Sequence, residues 1–120
     1  FPYNYGFIPK TLAPDNDAVD VIVLSSHELH PGCVATVRIV GGIATKDENG
    51  RDDKIICVLG DKIDTEFAHI RDITDVPKST LTEIIYFLTH YKDGEANKFV
   101  TLGEQYGRED AIAFIDKCAL

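Results

Sequence analysis

The sequence has no long apolar run, no excess of basic residues and no paired-cysteine motif, and each absence excludes a class of protein. Its longest apolar stretches, such as VDVIVL and EIIYFL, are far shorter than the ~20 residues needed to span a bilayer. The formal charge of −8 leaves no basic footprint of the kind that nucleic-acid-binding proteins show. Its three cysteines contain no CxxC motif, and an odd number cannot all form disulfides within the chain, which favours a reducing cytosol over a disulfide framework. We therefore expect a cytoplasmic protein with no membrane segment and no nucleic-acid partner.

The length and composition predict one globular domain. The chain has 120 residues, of which 44% are hydrophobic and 27% charged, and these proportions are ordinary for a folded domain. It begins at Phe1, within an aromatic segment and without a methionine. We therefore expect residues 1–120 to be a single domain that is part of a longer protein.

The hydrophobic periodicity predicts strands in the first half and helices in the second. Short runs rich in Val and Ile are separated by turn signals such as Gly41-Gly42 and Asn49-Gly50. Two later segments show helical spacing, with apolar positions Leu81, Ile84, Ile85, Leu88 and Tyr91 in one and Ile112, Ile115 and Ala119 in the other. Asp75 is the predicted N-cap of the first helix. The prediction is an α+β fold: a small barrel or highly curved antiparallel sheet with two flanking helices.

The stretch APDNDAVDVIVL, residues 13–24, places three aspartates before and inside an apolar run. In one straight strand Asp15 and Asp17 would share a face and Asp20 would point to the other. A turn at Pro14 would allow the three to converge. Two interpretations stay open: a solvated acidic turn, or three side chains around a shared cation. An EF-hand calcium loop is excluded, because the residues that follow Asp17 do not fit its pattern.

A second acidic cluster lies in TKDENGRDDKII, residues 45–56. If Asn49-Gly50 is a two-residue turn, Asp47 lies directly opposite Asp52, and Lys54 shares the face of Asp52. Like charges in opposite positions destabilise a hairpin, and a cation between them would remove the conflict. A solvated charged hairpin tip is the alternative. Carboxylates in two β-rich segments beside a lysine suit Mg²⁺, which raises the hypothesis of phosphoryl transfer.

In this order the motifs resemble those of soluble inorganic pyrophosphatases of the first, OB-barrel family. The matching stretches are Asn4-Tyr5-Gly6, the sequence DNDAVD at residues 15–20, KDENGRDDK, HIRDITDVP and HYKD. The resemblance covers essentially the whole chain and implies an OB-like barrel that lacks the family's N-terminal segment. It also implies Mg²⁺-dependent hydrolysis of inorganic pyrophosphate to two phosphates by a metal-activated water, in a homo-oligomer (dimer or hexamer).

The resemblance assigns a role to each matching residue. It implies four metal ligands, a catalytic residue that helps deprotonate water, and four groups that bind pyrophosphate. The implied ligands are Asp15, Asp20, Asp47 and Asp52, the catalytic residue is Asp17, and the substrate-binding groups are Tyr5, Lys54, Tyr91 and Lys92. Ala18 departs from the family motif, which has Pro or Glu at this position.

Other features of the sequence carry weaker predictions. A non-catalytic barrel that binds cations or phosphate is the alternative to an enzyme. His27 and His30 do not form the H-E-x-x-H motif, so we expect a solvated turn rather than a zinc site. Cys33 and Cys57 are predicted to pack in the core.

Overall fold

The computed structural model describes residues 4–25, 28–30, 32–48, 50–60, 66–90 and 100–120. These residues form six strands, two α-helices and one 3₁₀ turn. The strands are β1 (Asn4–Ile8), β2 (Val19–Leu24), β3 (Val37–Asp47), β4 (Gly50–Arg51), β5 (Lys54–Leu59) and β6 (Val100–Gly107). The 3₁₀ turn spans Ile73–Asp75, and the helices are α1 (Lys78–His90) and α2 (Arg108–Cys118). None of the helices in these ranges is both long and apolar enough to cross a membrane.

The strands form one sheet in which β3 is the central element. β5 and the short β4 pair with one side of β3, β6 pairs with the other, and β2 and β1 follow beyond β5. The predicted α+β architecture is confirmed, but the sheet is mixed rather than purely antiparallel. β2 and β5 run parallel because the chain crosses from β2 to β3 and then returns antiparallel to β3, placing β5 between β3 and β2.

Apolar side chains pack on both faces of this sheet. β2 and β5 are almost continuous apolar runs, so alternate residues supply each face. On one face, Ile22 and Ile56 pack in a cluster with Ile84 and Leu88 of α1. On the other face, neighbouring residues of β2 and β5 pack against α2, where Phe114 is buried. The predicted core positions of α1 are therefore confirmed for the described part of that helix.

The glycine pair in β3 corrects a predicted turn. Gly41 and Gly42 lie inside the strand, where β3 has a register shift against β5 between Ile39 and Gly41. The ring of Tyr106, on β6, lies over Gly42, and a Cβ added at Gly42 would come 2.4 Å from that ring. The pair is thus needed for close packing across the sheet rather than for reversing the chain.

Three further predictions are wrong. The buried positions of α2 are Ala111, Phe114 and Cys118, because the small side chain of Ala111 and the ring of Phe114 face the sheet. Of the predicted positions, Ile115 is partly buried against the same cluster, whereas Ala119 is exposed. Asp75 belongs to the 3₁₀ turn and not to the start of α1: it is the third residue of a capping box whose N-cap is Asp72, and its carboxylate accepts the backbone N–H groups of Arg71 and Asp72. Cys33 is exposed, while Cys57 is buried as predicted.

Candidate functional site

Three carboxylates from separate parts of the sequence converge at one edge of the sheet. Asp15 lies in the loop before β2, Asp47 ends β3, and Asp52 follows β4. One carboxylate oxygen from each lies within 4.8 Å of those of the other two, an arrangement that could hold a metal ion. Asp47 and Asp52 are 8% and 7% exposed, so water compensates little of their mutual repulsion.

The loop that carries Asp15 is fixed by hydrogen bonds at both ends. The N–H of Asn16 donates to the carbonyl of Ala13, and the N–H of Ala13 donates to the carbonyl of Asp17, so the chain turns back before β2. The Asp15 carboxylate accepts the N–H of Asp17 at 3.1 Å, and Asn16 has a φ of 69°. The predicted turn at Pro14 is present, and it directs Asp15 toward the carboxylates of the hairpin.

The pairing in the hairpin between β3 and β4 differs from the predicted register by two residues. Asp47 pairs with Gly50 rather than with Asp52, and Lys46 pairs with Arg51, so Gly50 belongs to the return strand and not to the turn. Gly50, with a φ of 115°, occupies a conformation that favours glycine and starts the return strand. Asp47 therefore does not lie opposite Asp52 in a ladder. The two come together because Asp52 lies just beyond β4.

Lys54 joins two of the predicted metal ligands. Asp20 and Lys54 are partners in the parallel pairing of β2 with β5, and the ammonium lies 2.7 Å from Asp20 and 2.6 Å from Asp52. Burial by itself would lower the pKa of Lys54, but the hydrogen bonds to the two carboxylates raise it overall. Lys54, 3% exposed, is thus held as a buried cation. Asp20 binds it and lies outside the group of three carboxylates.

The Asp52 carboxylate is perturbed by its burial and by neighbouring charges. Burial raises its pKa to about 7, Lys54 opposes this shift, and the charges of Asp20 and Asp15 add to it. Its Oδ2 atom binds Lys54, whereas Oδ1 is buried with no hydrogen-bond partner among the described residues. A buried oxygen of this kind, beside two further carboxylates, fits a hard divalent cation.

The other predicted site residues lie at the rim of this group or outside the description. Tyr5 is half exposed, and the Lys54 ammonium lies 5.8 Å from the centroid of its ring. Burial raises the pKa of the Tyr5 hydroxyl, although Lys54 opposes the shift. The Asp17 side chain is exposed, next to Asp15 in the same loop. Tyr91 and Lys92 lie outside the described residues.

The sequence interpretation missed a second polar cluster behind the hairpin. Asp53 is fully buried and binds the guanidinium of Arg51 through both carboxylate oxygens, at 3.0 and 2.8 Å. The hydroxyl of Tyr106 donates to the same carboxylate at 2.7 Å. The only sequence signal for this cluster was the spacing of Arg51 and Asp53, since Tyr106 is 53 residues away.

Comparison with known proteins gives consistent matches. Residues 1–120 match the family described as Pyrophosphatase: Inorganic pyrophosphatase. The inorganic pyrophosphatase of Sulfolobus acidocaldarius is 46% identical over 102 residues, which cover 85% of this chain and 59% of that protein. The inorganic pyrophosphatase of Brucella melitensis biotype 1 is 44% identical over 121 residues, which cover 98% of this chain and 69% of that protein.

Solved structures give the same result for the fold. The inorganic pyrophosphatase of Helicobacter pylori matches with a TM-score of 0.95 and 42% identity, covering 98% of this chain and 69% of that chain. The Thermus thermophilus inorganic pyrophosphatase matches with a TM-score of 0.92, also at 42% identity, over 98% of this chain and 68% of that chain. The chain thus spans about 59–69% of the length of these relatives.

Proposed function

The chain belongs to the inorganic pyrophosphatase family, and from this premise we propose that the protein hydrolyses inorganic pyrophosphate to two phosphates. The observation that carries the proposal is the convergence of Asp15, Asp47 and Asp52 at the edge of a fold shared with the pyrophosphatase structures. Pyrophosphate is a compact, highly charged substrate, and its hydrolysis depends mainly on positioning and charge neutralisation.

The proposed metal is Mg²⁺, held by the three carboxylates with Asp20 as a further ligand. Mg²⁺ prefers carboxylate oxygens and keeps several waters, which suits an edge site with few protein ligands. The buried, unpartnered Oδ1 atom of Asp52 supports this assignment. When bound there, Mg²⁺ would supply charge neutralisation for the phosphate groups and a lower pKa for a coordinated water.

The remaining predicted residues have proposed roles in binding and proton transfer. Asp17 is proposed to accept the proton of the attacking water, which its exposed position beside Asp15 allows. Tyr5 and Lys54 are proposed to donate to phosphate oxygens, since Tyr5 lies at the rim of the carboxylate group and the buried Lys54 ammonium lies between Asp52 and the Tyr5 ring. Tyr91 and Lys92 are proposed to do the same on the basis of the family resemblance.

The wider setting is proposed on the same basis. We propose a homo-oligomer, dimer or hexamer, in the cytoplasm, and residues 1–120 as one domain of a chain with a further N-terminal segment. The alternative of a non-catalytic module receives no support, because the relatives and structures compared above are all named inorganic pyrophosphatases.

Phosphate release from pyrophosphate by the full-length protein tests the function. We expect release with Mg²⁺ and none after metal removal with EDTA, with an established pyrophosphatase as the positive control in the same assay. A folded full-length protein that releases no phosphate with Mg²⁺, while the control enzyme does, would exclude the function.

A further inference from the structure

Asp53 lies next to the proposed metal ligand Asp52 but makes a separate set of contacts. It is 1% exposed, and its carboxylate accepts four hydrogen bonds. Two come from Arg51 on β4, at 3.0 Å from Nε and 2.8 Å from Nη2. The others come from the hydroxyl of Tyr106 on β6, at 2.7 Å, and from the backbone N–H of Thr45 on β3, at 3.3 Å. One buried carboxylate therefore joins three strands.

These contacts leave Asp53 little capacity to bind a metal ion itself. Its charge is compensated by the bidentate Arg51 guanidinium, which also stacks over the ring of Phe114 at 5.1 Å from the centroid. Burial, followed by the hydrogen bond to Asp53, raises the pKa of Tyr106, so that its hydroxyl stays protonated and remains a donor. The Asp53 carboxylate at the centre of the cluster is buried and fully hydrogen-bonded, while the Arg51 side chain is 55% exposed, and a satisfied network around a buried carboxylate fixes its geometry.

The cluster reaches the metal site through the backbone. Asp52 and Asp53 lie between β4 and β5 and belong to neither strand, so regular strand pairing does not set their position. Instead, the N–H of Asp52 donates to the carbonyl of Thr45 at 3.0 Å, and the hydroxyl of Thr45 donates to the carbonyl of Asp52. Because the N–H of Thr45 binds the Asp53 carboxylate, the same residue holds both aspartates.

We propose that Asp53 is a positioning residue: by joining β3, β4 and β6 it orients the Asp52 carboxylate and thereby sets the protein's affinity for a divalent cation. This inference rests on the proposed function in so far as that cation is the one used in pyrophosphate hydrolysis. Residues behind metal ligands commonly act in this way, and their replacement typically weakens metal binding about 10- to 100-fold.

A purely structural ion pair would give a different result. In that case loss of Asp53 would lower thermal stability, while the folded protein would bind the cation with unchanged affinity. A positioning role instead predicts weaker binding at a temperature at which the variant is fully folded. Metal affinity measured below the melting transition therefore separates the two roles.

The experiment is calorimetric titration of the full-length protein with Mn²⁺ as the probe. We expect Asp53→Asn to bind Mn²⁺ about 10- to 100-fold more weakly, because the amide replaces an acceptor of Arg51 and Tyr106 with a donor. Tyr106→Phe removes one of the four hydrogen bonds and should weaken binding in the same direction, but less. The matched controls are Asp116→Asn and Tyr86→Phe, which change exposed side chains of α2 and α1 and should leave Mn²⁺ affinity unchanged.

Each outcome decides the proposal. Unchanged Mn²⁺ affinity in folded Asp53→Asn would overturn it, whatever the melting temperature. If Asp53→Asn does not fold, Tyr106→Phe decides: weaker binding supports the positioning role, and wild-type affinity overturns it. A wild-type protein that binds Mn²⁺ without hydrolysing pyrophosphate would contradict the proposed function, whereas the Asp53 proposal would still be decided by the Mn²⁺ affinities of the variants.

Discussion

The Lys54 ammonium lies 2.6 Å from Oδ2 of Asp52, while the other oxygen of that carboxylate is buried with no hydrogen-bond partner among the described residues. The protein itself thus compensates the charge of this buried aspartate at only one of its two carboxylate oxygens. A cation shared with Asp15 and Asp47 would complete the neutralisation. The site therefore has one internal cation, Lys54, and an unpartnered carboxylate oxygen that a metal ion could bind.

Replacement of Lys54 by methionine should destabilise the protein most strongly when metal is absent. The substitution leaves the carboxylates of Asp20 and Asp52 without their buried cation, and breaking such a pair costs about 3–5 kcal/mol. Mg²⁺ should restore part of this loss by supplying positive charge. Urea unfolding in EDTA and in Mg²⁺ measures both effects. Lys78→Met, at an exposed position, is the control and should change stability by less than about 0.5 kcal/mol. An equal loss with and without Mg²⁺ would contradict the explanation.

Asp17→Ala should remove turnover and leave the fold intact. The side chain is exposed, and its removal breaks none of the backbone hydrogen bonds that form the turn. Loss of a general base typically lowers kcat by about 10²- to 10⁴-fold. Phosphate release, together with the thermal melting curve, checks the prediction, and Asp116→Ala serves as the surface control. Normal hydrolysis by Asp17→Ala would show that another group accepts the proton.

Gly42→Ala should lower the free energy of unfolding, because it displaces the Tyr106 ring that contacts Asp53. The added Cβ would come 2.4 Å from the Tyr106 ring, whose hydroxyl binds Asp53. We expect a loss of about 1–3 kcal/mol in unfolding free energy, the usual cost of overpacking. Gly6→Ala is the matched control in another strand, since its nearest neighbour, a methyl group of Val21, lies 3.6 Å away. Shortening the ring partner in Gly42→Ala/Tyr106→Leu should recover part of the loss. If the double variant is no more stable than Gly42→Ala, a clash with the Tyr106 ring is not the cause of the loss.

The cap of the 3₁₀ turn should give a pH-dependent contribution to stability. Hydrogen bonds from the N–H groups of Arg71 and Asp72 lower the pKa of Asp75 below its ordinary value of 3.8. A lowered pKa means that the ionised form stabilises the folded state, so the contribution is present above pH 3.8 and is lost as the pH falls through the folded pKa.

Asp75→Asn therefore should be less stable than wild type at pH 7, and the difference should shrink when the pH is lowered below about 3.8. Urea unfolding midpoints at both pH values measure this change. Asp116→Asn removes a surface charge without contacting the cap, and it controls for net charge. The same pH dependence in Asp116→Asn would contradict the assignment to the cap.

The sequence contained enough information to predict that two acidic segments meet, but not how they meet. Pro14 marks the turn that brings Asp15 to the hairpin, and the short Val- and Ile-rich run that follows it marks β2. The hairpin register could not be predicted, because an Asn-Gly signal does not decide whether Gly50 belongs to the turn or to the return strand. The positive φ of Gly50 decides the register only in the folded chain.

The cluster around Asp53 depends on contacts that are remote in sequence. Tyr106 reaches Asp53 because Gly42 leaves room for its ring, and this relation involves β3, β6 and the segment between β4 and β5. Charge pattern and periodicity describe neighbours within one element, so neither could indicate it. The buried face of α2 could not be predicted for a similar reason. Phe114 and Cys118 are buried because they pack against residues of β2 and β5 that are remote in sequence.

Anomalous diffraction from crystals of the full-length protein soaked in Mn²⁺ tests the central claim most directly. The account predicts an anomalous peak among Asp15, Asp47 and Asp52, within about 2.0–2.6 Å of their carboxylate oxygens. The same peak should be absent or much weaker in Asp52→Asn. A Mn²⁺ peak bound elsewhere, with the three carboxylates of the wild-type protein facing only water, would contradict the account.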